Sequence, residues 1–382
     1  MYNMDTSLKK IISSGFSSLL SIFSSEKSSD SVLGIDIGSS AIKIVQLKKK
    51  GGKAILETYG AISLGPYAKT DIGQVTNLKT EDIVLALLDV MKESNTTTMF
   101  GIIAIPSSAS LILNIALPAN VTEEQLPNIV PIEARKYIPV PISEVSLDWF
   151  MIPPQAETYE DININPTKVL ASKVEVLVVA IQNEVLLRYE DIIKKTNIKS
   201  NTFELEIFSD IRASFNHDLS PVLLIDFGAS KTKISIVESG VVRVYHVVNR
   251  GGADITHNVS VALNIDFSEA EKLKRQVGLD HTLNPQVSDV IRLSTDYIFS
   301  DISSVVLVYE KKYNKTISKI IITGGGSLMK GILSYATAAF HTEVIYSDPF
   351  EKVEAPAFLE PVLKVSGPEF SVAVGLALRQ LS

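Results

Sequence analysis

Ser31–Leu47 reads SVLGIDIGSSAIKIVQL and Pro221–Glu238 reads PVLLIDFGASKTKISIVE. When Asp36 is superposed on Asp226, both segments show an apolar strand, the pattern Asp-X-Gly-X-Ser, three mixed residues and a second alternating strand. Each copy is typical of a β-hairpin whose tight turn contains Gly and Ser. A single copy would suit an ordinary Asp-capped turn. Two matched copies in the two halves of the chain favour a shared function.

The two turns have the composition of phosphate-binding loops. Gly38 and Gly228 lack a Cβ, so the backbone can approach a phosphate closely. The N–H groups and hydroxyls that follow can donate to its oxygens. Asp36 and Asp226 can lie beside phosphate only if a cation intervenes, which suits Mg²⁺ held by one or two carboxylates. The residues expected to supply the donors are Ser39, Ser40, Ala229, Ser230 and Thr232.

Two lysines occupy matching places after the turns. Lys43 and Lys233 each follow the turn glycine by five residues. Each could contact a bound phosphate, and each could equally be a solvated strand residue. The sequence alone leaves both readings open.

A glycine-rich loop is predicted near the C-terminal end. Lys319–Leu333 reads KIIITGGGSLMKGIL, in which a buried strand at Ile320–Thr323 runs into three glycines. The pattern predicts a loop followed by a helix that begins near Ser327, and such a loop could pass against a base or a phosphate. It is not a P-loop, because no Gly-Lys-Ser/Thr follows.

A fourth segment, Gly251–Gly278, opens with two glycines after a predicted strand at Val241–Val248. A second helix is predicted over Ser268–Val277. It places Glu271 and Lys274 one turn apart, as in an exposed salt bridge that stabilises a helix by about 0.2–0.5 kcal/mol.

Composition excludes several classes of function. The chain has 382 residues, which predicts two to four domains. A chain with a net charge of −7 shows no broad excess of positive charge for binding nucleic acid, so no nucleic-acid partner is expected. The absence of cysteine excludes disulfides, cysteine-type zinc sites and thiol nucleophiles. The most apolar N-terminal run, Ile11–Phe23, is shorter than the roughly 20 residues that a membrane span needs, so an intracellular chain is expected.

Apolar residues recur at near-helical spacing over residues 8–23, with Ser and Lys on much of the other face. This predicts an amphipathic helix, which either packs on its own domain or contacts a membrane surface or partner. Ser24–Asp30, SSEKSSD, is typical of a flexible tether.

The order of these motifs resembles the actin-like ATPase superfamily, which includes actin, FtsA, MreB and the sugar kinases. Within it, VLGIDIGSSAIKIVQL at 32–47 and EARKYIPVPISEVSLDW at 133–149 are closely similar to the PilM family of type IV pilus assembly. The resemblance covers nearly everything from Ser31 onward. It implies an α/β, actin-like (ribonuclease H-like) two-lobe ATPase fold with an FtsA/PilM-type inserted α+β subdomain.

The sequence pattern and the resemblance together imply a domain organisation. Residues 1–30 would form the amphipathic helix and linker, and 31–108 with 201–219 and 350–382 the first actin-like lobe. Residues 109–200 would form the inserted subdomain and 220–349 the second lobe. Within the insertion the sequence predicts strands at 111–117, 145–151 and 174–180, a helix that opens at 122–124 and a helix at 184–196.

Matching positions to the family motifs implies a site for ATP and Mg²⁺. Asp36 and Asp226 would bind the metal. Glu206 falls where relatives orient the attacking water, and neighbouring Glu204 is the alternative register. The positions implied for ATP binding are Asp36, Gly38, Ser39, Ser40, Lys43, Asp226, Gly228, Ala229, Ser230, Thr232, Gly251, Gly252, Glu271, Lys274, Gly324, Gly325, Gly326 and Ser327.

The function implied is an ATP-binding scaffold or switch with slow or absent hydrolysis, at the cytoplasmic face of the inner membrane. Its implied partner is the N-terminal tail of a PilN-like inner-membrane protein, bound through backbone hydrogen bonds and apolar pockets. Pilus motor ATPases and a membrane surface contacted by residues 8–23 are further expected partners. The residues implied for the tail are Glu133, Arg135, Lys136, Tyr137, Ile138 and Pro139, although Tyr137 and Ile138 could instead be core. The alternatives are an FtsA-like filament-forming division protein and a sugar-kinase-like phosphotransferase.

Overall fold

The computed structural model describes residues 30–152, 173–200, 202–216 and 218–381. The helix predicted over residues 8–23 lies outside these ranges. The strands are β1 (Ser31–Ile37), β2 (Ala41–Lys50), β3 (Lys53–Ser63), β4 (Gly101–Ile105), β5 (Ser110–Leu117), β6 (Val145–Ile152), β7 (Val174–Gln182), β8 (Phe203–Leu205), β9 (Val222–Phe227), β10 (Thr232–Glu238), β11 (Val241–Val248), β12 (Lys319–Thr323) and β13 (Val344–Tyr346). The α-helices are α1 (Gly65–Ala68), α2 (Thr80–Glu93), α3 (Leu126–Ala134), α4 (Asn183–Thr196), α5 (Glu206–Ser214), α6 (Gly252–Leu263), α7 (Phe267–Val277), α8 (Pro285–Tyr313), α9 (Ile332–Phe340), α10 (Glu360–Ser366) and α11 (Ser371–Leu381).

The described residues form two compact units. One, the insert unit, contains residues 107–152 and 173–189. The other, the main unit, contains the remaining described residues and both of the larger sheets. The domain boundaries inferred from the sequence stay a prediction.

The main unit contains two five-stranded sheets with the same design. The first has the order β3-β2-β1-β4-β8 and the second the order β11-β10-β9-β12-β13. In each sheet the first three strands are antiparallel and the last two run parallel to the central strand. The duplication seen in the sequence is therefore a duplication of whole sheets.

The central strands are buried on both faces. β1 (SVLGIDI) and β9 (VLLIDF) are almost continuously apolar, as expected where helices or loops cover both sides of a sheet. The first lobe is defined as the first sheet with α2, α5 and α11 packed on it, and the second lobe as the second sheet with α6 to α9.

One helical stretch among the described residues, Ala357–Leu381, is long and apolar enough to cross a membrane. However, 61% of its most apolar window is buried in the molecule. Ala373, Val374 and Leu376 of α11 are fully buried in the core of the first lobe. Its apolar character is therefore explained by packing against β1 and α5.

The insert unit contains a three-stranded antiparallel sheet of order β5-β7-β6. Helix α3 buries Leu126, Val130 and Ala134 against it. The strands predicted at 111–117, 145–151 and 174–180 are confirmed, and the predicted helix start at 122–124 is a 3-10 turn that leads into α3.

Candidate nucleotide-binding site

The first predicted phosphate turn connects β1 to β2. Asp36, near the end of β1, lies directly opposite Lys43 of β2. The N–H of Gly38 donates to the carbonyl three residues later at 3.0 Å, which closes the turn. A Cβ at Gly38 would lie 2.9 Å from that carbonyl oxygen, closer than real side chains come. Ser39 and Ser40 lie half-buried at the tip, where their N–H groups and hydroxyls can meet an anion.

The second turn repeats this geometry between β9 and β10. Asp226 lies opposite Lys233, as Asp36 lies opposite Lys43. The N–H of Gly228 donates at 3.1 Å to the carbonyl three residues later, and a Cβ there would lie 2.8 Å from that oxygen. The tip is again half-buried, at Ala229 and Ser230.

Thr232 does not present its hydroxyl at this turn. It is fully buried and donates to the carbonyl of Arg250 at 2.9 Å. The sequence-based role of phosphate donor is therefore corrected to that of a structural anchor, because Thr232 already lies in β10 with its side chain directed into the core.

Gly251 and Gly252 lie against the backbone of the second turn. The first two N–H groups of α6, at Gly252 and the next residue, donate at 2.9 Å to the carbonyls of Gly228 and Ala229. A Cβ at Gly251 would lie 2.5 Å from the carbonyl oxygen of Ala229. The start of α6 is thereby held to the turn, and glycine allows the two backbones to meet.

A buried ammonium group lies at the centre of the site. Nζ of Lys233 donates to Oδ2 of Asp226 and to Oε2 of Glu206, at 2.8 Å each. The three side chains are only 18%, 15% and 8% exposed, respectively. Burial alone would lower the pKa of Lys233, but the two carboxylates outweigh it and raise that pKa well above its usual value. Lys233 is therefore not a solvated strand residue.

Asp36, the acidic residue of the first turn, is buried. Burial raises the pKa of Asp36 to about 6, while Lys43 opposes the rise and the carboxylates of Glu206 and Asp226 add to it. The charges that affect Asp36 therefore include groups of the second turn and of α5.

Asp210 is a fourth carboxyl group at this site, and the sequence did not single it out. Its Oδ1 accepts hydrogen bonds from Ser371 at 2.6 Å and from Ser214 at 3.1 Å. Burial, with a contribution from Asp226, raises the pKa of Asp210 to about 8 against the effect of the two hydroxyls. Its position one turn after Glu206 on α5 is the signal that could have found it. The residues around the small cavity here are Glu206, Ile207, Asp210, Leu224, Asp226, Lys233, Ser235 and Tyr245.

The carboxyl groups at this site limit the kind of metal ion that could bind here. Among the residues that the structure describes, no three acidic or histidine side chains are arranged to hold a metal ion by themselves. Mg²⁺ is compatible with so few protein ligands, because it is usually held by one or two carboxylates and keeps waters or phosphate oxygens as its other ligands. Asp36 and Asp226 are the carboxylates nearest the turns that could contribute to it.

The structure distinguishes the two candidate glutamates. Glu204, in β8, accepts two hydrogen bonds of 2.7 Å from Arg212 and one of 2.6 Å from Ser209. Although burial opposes it, the ion pair with Arg212 keeps the pKa of Glu204 below its usual value. Glu206 begins α5 and faces Lys233 instead. Of the two, only Glu206 lies at the charged centre.

Glu271 and Lys274 form the predicted ion pair, at 2.7 Å, but the pair is buried rather than exposed. Lys274 also donates to the carbonyl of Gly252 at 2.9 Å and to the hydroxyl of Thr256 at 2.8 Å. Burial lowers the pKa of Lys274 despite its glutamate partner. The three donors of the ammonium group are thus engaged, and the pair fastens α7 to the start of α6.

The glycine-rich loop passes beside the second turn. Gly324 has φ of 82°, and a Cβ there would lie 2.4 Å from Oδ1 of Asp226. A Cβ at Gly326 would lie 2.7 Å from the carbonyl oxygen of Phe227, whereas Gly325 faces open space. Ser327 is fully buried and donates to the carbonyl of Gly324 at 2.6 Å, so its hydroxyl closes the loop.

The helix predicted to begin near Ser327 begins only at Ile332. A 3-10 turn over Gly325–Leu328 comes first, and Gly331 adopts φ of 78° before α9 starts. That left-handed residue interrupts any continuous helix from Ser327.

The segment predicted to bind a partner follows α3 in the insert unit. Tyr137 is 60% exposed, and Arg135, Lys136 and Pro139 are also exposed. Lys136 pairs with Glu133 at 2.7 Å. Ile138, by contrast, is only 9% exposed and packs in the core of the insert unit, so its expected contact with a partner is corrected.

The two sheets have the same strand order, and each carries an Asp-X-Gly turn at the same place. We call these two turns, at residues 36–40 and 226–230, the acidic-glycine turns. Together these features define an actin-like ATPase fold. Solved structures support this class. A structure described as the PilM–PilN type IV pilus biogenesis complex covers 93% of this chain and 99% of its own, with a TM-score of 0.77 and 22% identity. Ethanolamine utilization protein EutJ from Carboxydothermus hydrogenoformans covers 98% and 97%, with a TM-score of 0.50 and 13% identity.

A family model for type IV pilus assembly protein PilM matches residues 34–381, and the chain therefore belongs to the PilM family. The resemblance inferred from the sequence and the predicted fold class are both confirmed. Membership supports a role in type IV pilus assembly.

Curated relatives of the chain include cell division proteins FtsA. That of Neisseria meningitidis is 25% identical over 276 residues, which are 64% of this chain and 64% of the relative. That of Bacillus subtilis is 24% identical over 175 residues, which are 41% of this chain and 37% of the relative. The chain thus spans less than two thirds of the length of these relatives.

Proposed function

We propose that the chain binds ATP with Mg²⁺ between its two acidic-glycine turns and serves as a nucleotide-responsive scaffold in type IV pilus assembly. The observation that carries this proposal is the buried ammonium of Lys233 at the second turn, which contacts both Asp226 of that turn and Glu206 of the first lobe at 2.8 Å. The backbone N–H groups of the turns would hold the phosphates. Gly324–Gly326 would pass beside the nucleotide.

Asp36 and Asp226 would position Mg²⁺, whose role is to neutralise phosphate charge beside the carboxylates. Since the two turns belong to different lobes, a triphosphate that touches both binds a closed arrangement better than an open one. Such differential affinity is what allows a ligand to shift a conformational equilibrium.

The arrangement of Glu206 supports slow or absent hydrolysis. Its Oε2 is hydrogen-bonded to the buried ammonium of Lys233 at 2.8 Å. A water-orienting carboxylate must offer an oxygen to the attacking water, and this contact competes for it. We therefore favour a scaffold or switch over a metabolic enzyme.

The proposed partner is the N-terminal tail of a PilN-like inner-membrane protein, as suggested by the PilM–PilN complex that the fold resembles. Exposed Tyr137 could fill an apolar contact, while Arg135 and Lys136 add positive charge beside it. This partner would place the chain at the cytoplasmic face of the inner membrane. Pilus motor ATPases and a membrane contact through residues 8–23 remain part of the proposal.

Calorimetric titration tests nucleotide binding. Asp36→Asn and Asp226→Asn should each weaken the affinity for ATP·Mg²⁺ by about tenfold or more, because each removes a carboxylate that balances the metal. Wild-type affinity should also fall as the pH drops through about 6, where Asp36 takes up a proton. Asp301→Asn, on an exposed position of α8, is the matched control. Absence of ATP uptake by the wild-type chain would refute the proposal.

Binding of a labelled peptide tests the partner. Tyr137→Ala should reduce the affinity for a PilN-like N-terminal tail by about tenfold, which is the usual loss for an exposed aromatic anchor. Leu293→Ala, 74% exposed on α8, is the control. Equal affinities of Tyr137→Ala and wild type would place the tail elsewhere.

A further inference from the structure

A basic hairpin tip lies on the surface of the main unit. The tip joins β2 to β3 and reads KKKGGK over residues 48–53, every one of them exposed. The chain as a whole carries a net charge of −7, so four lysines within six residues form a local reversal of charge.

Only part of this charge is neutralised. Lys53 pairs with Glu354, and Lys48 lies 4.0 Å from Glu57. Within the described ranges, Lys49 and Lys50 form no ion pair. The tip therefore keeps positive charge that is available to a ligand.

An exposed apolar helix face lies on α10 and the turn before it. Phe358, Val362 and Val365 are 78%, 52% and 72% exposed. Their spacing of four and three residues places them on one side of the helix. Leu363 on the opposite side is buried in the core of the first lobe, which fixes the direction of the exposed face.

The chain that leads into the apolar face passes beside the basic tip. Glu354 forms backbone hydrogen bonds of 2.8 Å to both Ala54 and Leu56 of β3, directly beside the tip. Phe358 follows Glu354 by four residues, so their Cα atoms lie within about 14 Å of each other.

The start of the described chain is at the same place. The carbonyl of Asp30 accepts a hydrogen bond from the N–H of Lys49 at 2.7 Å. Asp30, the first residue that the structure describes, therefore lies beside the basic tip.

We propose that this end of the molecule, defined by residues 48–53 and by Phe358, Val362 and Val365, docks on a bilayer that contains anionic phospholipids. Apolar side chains beside lysines are the combination that an anionic bilayer binds, since the former enter the acyl boundary and the latter meet the headgroups. The long lysine side chains can reach the headgroups while their stems lie along apolar surface. The surface extends the proposed membrane-peripheral location and requires neither nucleotide nor partner tail.

Co-sedimentation of the full chain with vesicles, without nucleotide, tests the proposal. Binding is expected to vesicles of phosphatidylcholine with phosphatidylglycerol and to be much weaker with phosphatidylcholine alone. Lys49→Glu with Lys50→Glu should lower the partition coefficient about tenfold, and the loss should shrink at high salt. Phe358→Ser with Val365→Ser should lower it by a similar factor at either salt concentration. All four side chains are exposed, so folding should persist, as checked by circular dichroism.

Two control variants carry equal changes elsewhere on the surface. They are Lys92→Glu with Lys311→Glu, and Leu293→Ser with Leu307→Ser. Wild-type binding by the tip and helix variants, or equal binding to neutral and anionic vesicles, would overturn the proposal. The proposal would also be overturned if Phe358→Ser with Val365→Ser left vesicle binding unchanged but made residues 1–29 more sensitive to protease. That result would mean that the apolar face binds residues 1–29 and not the bilayer.

Discussion

The two acidic-glycine turns have the same backbone geometry, but their charged surroundings differ. Asp226 is balanced by Lys233, whose ammonium group is buried between it and Glu206. Asp36 keeps a raised pKa of about 6 because burial dominates the opposing effect of Lys43. A divalent cation would therefore stabilise the ionised form of Asp36 most, since that carboxylate is the less well compensated of the two.

Replacement of Asp210 should change how stability depends on pH. In the folded chain the pKa of Asp210 is raised from 3.8 to about 8, chiefly by burial. Between these values the folded chain keeps a proton that the unfolded chain has released, so the free energy of unfolding falls as the pH rises. Asp210→Asn removes that dependence and keeps an oxygen for the hydroxyls of Ser214 and Ser371. At about pH 8 the variant should be more stable than wild type by about 1–3 kcal/mol.

Urea unfolding between about pH 4 and pH 8 measures this effect. The two proteins should converge near the acid end, where both side chains are neutral. Asp301→Asn, at an exposed position, should follow the wild-type curve throughout. If Asp210→Asn were less stable than wild type at every pH, Asp210 would be ionised in the folded chain.

At the scale of elements, the sequence predicts well what is decided locally. A strand, an Asp-X-Gly-X-Ser turn and a second strand specify a hairpin within about 17 residues, and both hairpins form as predicted. The strands of the insert unit and the strand at Val241–Val248 are also predicted correctly. Alternating hydrophobicity and turn residues are properties of neighbouring residues in the sequence.

Burial created by distant segments could not be predicted. The hydroxyl of Thr232 donates to the carbonyl of Arg250, and the ammonium of Lys274 donates to a carbonyl in the first turn of α6. Lys233 is buried because α5, far away in sequence, brings Glu206 to it. A residue's neighbours along the chain carry no signal for such contacts, so the site's composition could be inferred but not which of its groups are free.

Close packing of α11 gives an element-scale prediction. A Cβ at Gly375 would lie 1.8 Å from the carbonyl oxygen of Ser209 on α5, and one at Gly34 would lie 1.9 Å from the carbonyl oxygen of Ala373. Gly375→Ala should improve helix propensity by about 1 kcal/mol. The backbone clash is larger, so a net loss of about 1–3 kcal/mol in unfolding free energy is expected.

Denaturant unfolding of Gly375→Ala measures this loss, with Gly325→Ala as the control for stability. A Cβ at Gly325 meets no atom within 4 Å, and its φ is not positive. The control should stay within about 0.5 kcal/mol of wild type. A neutral or stabilising Gly375→Ala would mean that α11 does not approach α5 so closely.

At the scale of the whole main unit, hydrogen bonds join the two lobes. The hydroxyl of Thr323 and the N–H of Gly324, from the second lobe, both donate to the carbonyl of Pro368, at 2.7 and 2.9 Å. Ser347, after β13, lies 2.8 Å from the hydroxyl of Ser214 on α5. These contacts adjoin Asp210 and Asp226, so we expect a ligand bound at the proposed phosphate turns to affect the angle between the lobes.

Nucleotide should therefore shift the distance between the lobes, and the chain suits spin labelling because it contains no cysteine. Labels at Leu85→Cys on α2 and Leu293→Cys on α8, both at exposed positions, report on opposite lobes. With ATP·Mg²⁺ their mean separation should change by about 2 Å or more and its distribution should narrow, since one ligand holds both turns. Val261→Cys with Leu307→Cys, both in the second lobe, should give the same distance with and without nucleotide. If the first pair were equally unmoved although calorimetry showed binding, the chain would hold ATP in a rigid cleft and could not use it as a switch.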